Sequence, residues 1–338
     1  MRTELPRAAR TTGAVALALV LGFGGIRTVE AQTHRPNAVD SGGGYGIVLA
    51  EDAETVTCRD ADGKSVVLHK RPRRALVNYT SFIELWYSAG GVSVGMPDTK
   101  SKEELPEAAR GLPTTGQTYA PNVERILALE PDLVILAANM EKQRALKDIL
   151  ETSGIETLLL AYETYADYVG IQDLFCRVNG DDPTARRATK ATEAAVDRIA
   201  KRTRALPAPS FLSIFASSRD VRAETDRAHT AFMASFLGAR NIVSTRLAPG
   251  SATRVTFSLE RVHMEDPDVI LVTTMGNPDS VRDRMRKDYM ESEAWGSLRA
   301  VREGRVYFLE EDLFLRKPNA RFPEAFRKLA DLLYPENR

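Results

Sequence analysis

Asp182–Leu206 reads DPTARRATKATEAAVDRIAKRTRAL. Asp182 is suited to cap a helix, Pro183 fits its first position, where a missing N–H is no loss, and neither Gly nor Pro returns before Pro207. The pattern predicts a helix about 33 Å long at about 1.5 Å per residue. Its apolar side is a thin stripe, Ala188, Ala191, Ala195 and Ile199. Arg186, Arg187, Lys190, Glu193, Asp197, Arg198, Lys201 and Arg202 cover most of the rest. Such a helix is too wet for a core. It reads as a strut joining two bodies, with a surface helix of one large domain as the plainer alternative.

The flanks repeat. Asn122-Val123-Glu124-Arg125-Ile126 and Glu130-Pro131-Asp132-Leu133-Val134-Ile135-Leu136 precede the strut; Ser258-Leu259-Glu260-Arg261-Val262 and Asp266-Pro267-Asp268-Val269-Ile270-Leu271 follow it. Glu124 to Pro131 and Glu260 to Pro267 are equal steps. Each copy predicts a short capped helix, a proline stop and a buried strand. A repeat at this distance is far longer than a solenoid period and implies two like lobes. Two unrelated helix, Pro-Asp, strand units are the chance reading, and the matched spacing argues against it.

Residues 1–31 have the makeup of an export signal, with basic Arg2, Arg7 and Arg10, an apolar run from Ala14 to Ile26 and a small-residue cleavage site at Val29-Glu30-Ala31. The mature chain is expected to begin near Gln32, free in a periplasm, since no Cys at the cleavage point offers a lipid anchor. Residues 32–54, with Ser41-Gly42-Gly43-Gly44, read as a flexible leader. Thr55–Leu68 alternates about Asp62-Gly63 and predicts a hairpin. The remainder after Ala31 has the length of two domains. The expected divisions are an N-terminal lobe over 55–181, the linking helix over 182–206 and a C-terminal lobe over 207–338.

Basic and acidic residues balance, 46 against 46, so nothing points to nucleic acid or an anionic membrane as partner. Cys58 and Cys176 fall on separate elements, and two unpaired buried thiols are the default expectation, with a disulfide as the alternative.

Strands are expected at Ala75–Tyr79, Val92–Gly95, Glu156–Leu160, Phe211–Phe215, Val269–Val272 and Val306–Leu309. Helices are expected at Ser81–Ala89, Glu141–Ser153, His229–Leu237 and Pro323–Leu333. The alternation means α/β lobes, Rossmann-like, with mostly parallel sheets. In such sheets ligands sit beyond the carboxyl ends of the strands. Those ends bring forward Tyr79, Tyr119 and Tyr162 as phenols, Arg219, Arg222 and Arg254 as planar donors for carboxylates or catecholate-type anions, and Met275.

Motifs for catalysis are missing. Ser258-Leu259-Glu260 is no nucleophile elbow, no Gly-x-Gly-x-x-Gly follows a strand, and no Lys completes a phosphate loop. His34, His69, His229 and His263 are scattered and predict no metal site or catalytic residue.

These residues carry a resemblance. The hairpin, the Asn122–Ile135 unit, the strut, Phe257-Ser258-Leu259-Glu260 and Trp295–Tyr307 resemble the substrate-binding proteins of bacterial importers for iron complexes, haem and cobalamin, whose two lobes are joined by one long helix. The resemblance implies a single rigid linking helix, no cofactor of its own, and a cargo that is an iron chelate or haem; because one continuous helix resists bending more than loop linkers do, little closure on binding is expected. It also implies a monomer that delivers to a membrane permease with its ATPase. In that family an acidic residue on each lobe docks onto permease arginines, and the matching positions are Glu124 and Glu260. A two-fold permease presents the same basic patch twice, an independent reason for one acid per lobe; an acid in a first helical turn also complements the macrodipole. Cobalamin as cargo, presentation to a receptor and an exported two-domain enzyme are the competing readings.

Overall fold

The computed structural model describes residues 48–99, 102–243, 252–256 and 258–335, all within one compact unit, Ser41–Arg338. The expected export signal and most of the leader lie outside them.

The leader does not stay loose to Glu54. Val48–Glu51 is a strand that adds to the antiparallel pair Thr55–Arg59 and Ser65–His69. Glu51 explains the anchoring: it meets Lys70 at 2.6 Å and also pairs with Arg177. The hairpin turns at Gly63, whose φ of 76° suits a residue without a Cβ.

The first half then builds a parallel sheet in the order Ala75–Val77, Leu133–Ala137, Glu156–Leu160. Leu133–Ala137 is buried along its whole length, as a strand covered on both faces must be. The strand expected at Val92–Gly95 instead begins at Met96 and runs to Asp98, in a separate small sheet with Thr114–Gln117 and Ala120–Pro121. Over Val92–Gly95 Val94 N donates to Ala75 O at 2.8 Å, but at Val77 N the Ser93 hydroxyl takes the place of a backbone acceptor, at 3.0 Å, and no ladder continues. The helix expected over Glu141–Ser153 is interrupted, forming Glu141–Arg144 and Lys147–Thr152.

The second half is a six-stranded sheet. Its main path runs Arg254–Val255, Val221–Glu224, Ser210–Ser217, Val269–Met275, Val306–Phe308, and Arg240–Asn241 pairs with Ser210–Ser217. Ser210–Ser217 pairs in parallel with Val269–Met275 but antiparallel with Val221–Glu224, so the sheet is parallel-rich with an antiparallel edge.

Between the two halves of the sequence runs Pro183–Thr203, capped by Asp182, whose carboxylate accepts from Thr184 N and Ala185 N at 2.9 Å each. Its buried face differs from the expected stripe. Ala188 and Ala191 are exposed, and Ala185, Thr189, Val196, Ala200 and Thr203 face inward. The threonines tolerate burial because Thr189 donates to Ala185 O at 3.0 Å and Thr203 to Ala200 O at 3.2 Å. This face packs on Tyr165–Val178 and on the last helix, Phe322–Leu333, so the helix is a braced member and not a free strut. Tyr165 lies edge-on to Phe322 and Phe326, at 4.9 and 5.1 Å between centroids, in a core drawing on both halves. Further clusters fill the second half around Trp295 and the first around Leu136. Cys58 and Cys176 are free and buried.

Candidate ligand-binding cleft

Ser210–Ser217 ends in a tight turn made by its last residue. Ser217 N donates to Asp220 O at 2.9 Å, and its hydroxyl accepts from Arg219 N and Asp220 N at 3.2 Å each. The chain reverses at once into Val221–Glu224. That places Arg219 at the tip and sets Arg222 opposite Phe215. Arg254 comes from the next strand, opposite Glu224. Met275 closes the adjacent parallel strand beside Ser217. Together with Asp220 these side chains line a cleft of about 480 Å³ at the carboxyl ends of the two central strands.

The arginines are held differently. The Arg254 guanidinium lies 3.6 Å above the Phe215 ring centroid, and its Nε lies 3.3 Å from Glu224 Oε1. Arg222 reaches Asp220 Oδ2 at 2.9 Å and Thr256 Oγ1 at 2.8 Å. Arg219 is exposed, with no side-chain partner among the described residues. The Arg222 hydrogen bond holds the Asp220 carboxyl below the usual aspartate range. The cleft thus offers one open guanidinium, two braced ones, of which Arg254 lies flat over the buried Phe215 ring, and an exposed thioether.

Of the expected site residues, Arg219, Arg222, Arg254 and Met275 come together, and the three tyrosines do not line this cleft. Tyr119 is 62% exposed in the turn after Thr114–Gln117. Tyr79 is half-buried at the start of Thr80–Ser88, edge-on to Phe82 at 5.0 Å. Burial first, and then the charge of Glu163, push its phenol up, so it stands as a neutral hydroxyl and not a ready phenolate. Tyr162 is a correction to the expected contact set. It is 2% exposed, it lies parallel to Phe82 at 6.2 Å, and its hydroxyl donates to Asn319 Oδ1 at 2.8 Å. The phenol is spent on joining the two halves of the sequence.

Residues 77–313 match the periplasmic binding protein family. The chain belongs to that family. Among its relatives, the high-affinity heme uptake system protein IsdE of Staphylococcus aureus strain Newman is 22% identical over 72% of this chain and 82% of its own length. Two solved structures share the fold. The catecholate-siderophore binding protein VctP of Vibrio cholerae superposes with a TM-score of 0.62 at 16% identity, covering 82% of this chain and 99% of that one. The vitamin B12 binding protein BtuF of Vibrio cholerae gives 0.61 at 18%, covering 79% and 99%.

Within this periplasmic binding protein, sequence reasoning missed the groups that tie the end of the chain to its first half. Lys317 and Asn319 stand on one short connection before the last helix. Lys317 Nζ donates to Glu163 O at 2.8 Å and lies 5.4 Å from the Tyr162 ring centroid. Burial pulls its ammonium down, opposed by the charges of Glu163, Asp167 and Glu224. Asn319, with φ 50°, donates to Glu84 Oε2 at 2.6 Å besides accepting from Tyr162. No local signal marks this connection. Glu224 had none either: alternation along Val221–Glu224 sets it on the face of Arg222, opposite Val221 and Ala223, yet it is buried.

The paired acids stand apart from the cleft. Glu124 opens Val123–Ala128, whose cap Asn122 accepts from Arg125 N at 2.9 Å; Glu260 lies in Leu259–Glu265, whose cap Ser258 accepts from Arg261 N at 3.3 Å. Both are exposed and without an ion-pair partner among the described residues. His229 is buried and held neutral, its pKa pushed well below the usual value by burial first and by Lys317. No group of three or more His, Cys, Asp or Glu among the described residues is placed to hold a bare metal ion.

Proposed function

We propose that the chain is an exported substrate-binding protein that captures an anionic iron complex, a ferric siderophore or haem, and delivers it to an ATP-driven membrane importer without chemistry of its own. The observation that carries the cargo reading is the convergence of Arg219, Arg222 and Arg254 with Phe215 and Met275 at the strand ends. Guanidinium groups pair with carboxylates and catecholates through planar forked hydrogen bonds, and the stacked Arg254–Phe215 face suits a flat aromatic body. The named roles of relatives in haem, catecholate-siderophore and vitamin B12 binding support the same transport class.

Delivery is assigned to Glu124 and Glu260. Each is an exposed, uncommitted acid in the first turn of a capped helix, once in each copy of the repeat, as docking onto a two-fold permease requires. The absorption spectrum of protein purified from its native host tests the reading. A Soret or catecholate-to-iron band supports it, and a cobalamin spectrum overturns the cargo assignment.

A further inference from the structure

The cleft contains three guanidinium groups but little free positive charge. Arg254 faces Glu224 across a strand pair, and Arg222 faces Asp220 two residues away. Glu224 is 4% exposed, accepts from Ser213 Oγ at 2.8 Å, and lies within the electrostatic reach of Lys317 as well as Arg254. Asp220 is kept ionised by Arg222. Among the described residues, Arg219 alone is left open. A cleft shaped to attract as much negative charge as possible would leave its guanidinium groups unpaired. Built-in carboxylates repel a second anion where the arginines would otherwise welcome it, and discrimination between partners rests on such repulsive elements as much as on attractive ones.

We propose that Asp220 and Glu224 are specificity-determining residues of this cleft, which lower its charge so that it takes a flat aromatic cargo bearing one or two anionic groups and rejects a multiply charged anion. The inference rests on the proposed cargo site. Arg219 meets the first anionic group, Arg254 on Phe215 supplies the flat face, and the two carboxylates oppose further negative charge.

Titration of the full chain with haemin and with a ferric tris-catecholate complex, each followed by tryptophan quenching, tests this. The two cargoes differ in net charge, and their affinity ratio on one preparation is insensitive to a loss of folded protein. The wild type is expected to bind haemin more tightly. Asp220→Asn, at a half-exposed position, is expected to shift the ratio about five-fold toward the tris-catecholate, as removal of one screened repulsion does. Glu224→Gln, which keeps an oxygen for Arg254, is expected to shift it in the same direction. Haemin binding with an unchanged ratio in both variants overturns this inference and leaves the proposed function standing, and so does a wild type that prefers the tris-catecholate. Binding of neither probe by the wild type overturns both.

Discussion

Glu130 and Asp266 hold the same place in two copies of one unit, each ending its short helix in the left-handed region, at φ 45° and 39°. The likeness continues around them. Arg74 Nε donates to Glu130 O at 3.0 Å, and Arg299 Nη2 donates to Asp266 O at 2.9 Å. Two residues on, Asp132 accepts from Arg73 N and Arg74 N, while Asp268 accepts from Ser210 N, each pinning the start of the neighbouring parallel strand.

The left-handed backbone strains a residue with a Cβ, and the two positions differ in what the side chain returns. Glu130 is exposed, whereas Asp266 Oδ1 accepts from Arg299 N at 2.8 Å. Glu130→Gly is therefore expected to stabilise the protein by roughly 0.5–1 kcal/mol. Asp266→Gly loses the Arg299 contact and is expected to gain nothing. Urea midpoints of the two variants check this; equal gains at both positions would contradict it.

Along the linking helix, Ala200 is buried and Ala188 exposed. Ala200→Leu overpacks the contact with the last helix and is expected to cost about 1–3 kcal/mol. Ala188→Leu is expected to stay within about 0.5 kcal/mol of the wild type. Chemical denaturation of both variants decides which face the helix buries.

Asp173 joins Arg177, at 2.9 Å, and Arg186 in a network that continues through Glu51 to the first strand. Burial would raise its carboxyl, but the two arginines hold it below the usual aspartate range. A depressed acid stabilises the fold above its unfolded pKa, about 3.9, and that contribution is lost as pH falls through the folded value. Asp173→Asn is expected to be about 2 kcal/mol less stable than the wild type at neutral pH. The gap should close as pH falls below about 4. A gap independent of pH would show that the carboxylate's charge is not what holds the network.

Reversal of both Glu124 and Glu260 to Lys is expected to leave cargo affinity within about two-fold, since neither lines the cleft, and to abolish uptake through the permease. Equilibrium titration alongside transport in a cell lacking the wild-type gene separates the two effects. A large loss of cargo binding would remove the docking assignment.

The repeat was legible because local chemistry writes it: a cap, an acid, a proline and a β-branched strand recur at matched spacing. The same held for the ends of the linking helix, where Asp182 and Pro183 act through their own backbone. Its buried face was not legible, because Thr189 and Thr203 look polar until their hydroxyls turn back onto the helix. Tyr162 was misplaced for a related reason. Its position depends on Asn319, 157 residues away in sequence, and nothing near a strand end distinguishes a phenol facing solvent from one bonded across the core. Arg219, Arg222 and Arg254 were found by their place at strand ends, but Asp220 and Glu224 were not, since their importance lies in which arginine each one faces.

Replacement of Arg219, Arg222 and Arg254 by Gln tests the cargo site most directly, with wild type and variant titrated against haemin, a ferric siderophore set and cobalamin. Expected is tight binding of an anionic iron complex by the wild type and a loss of at least about a hundred-fold in the triple variant, as removal of charged hydrogen-bonding groups from a ligand site produces. Tight binding of cobalamin alone, unaffected by loss of the three arginines, would contradict it.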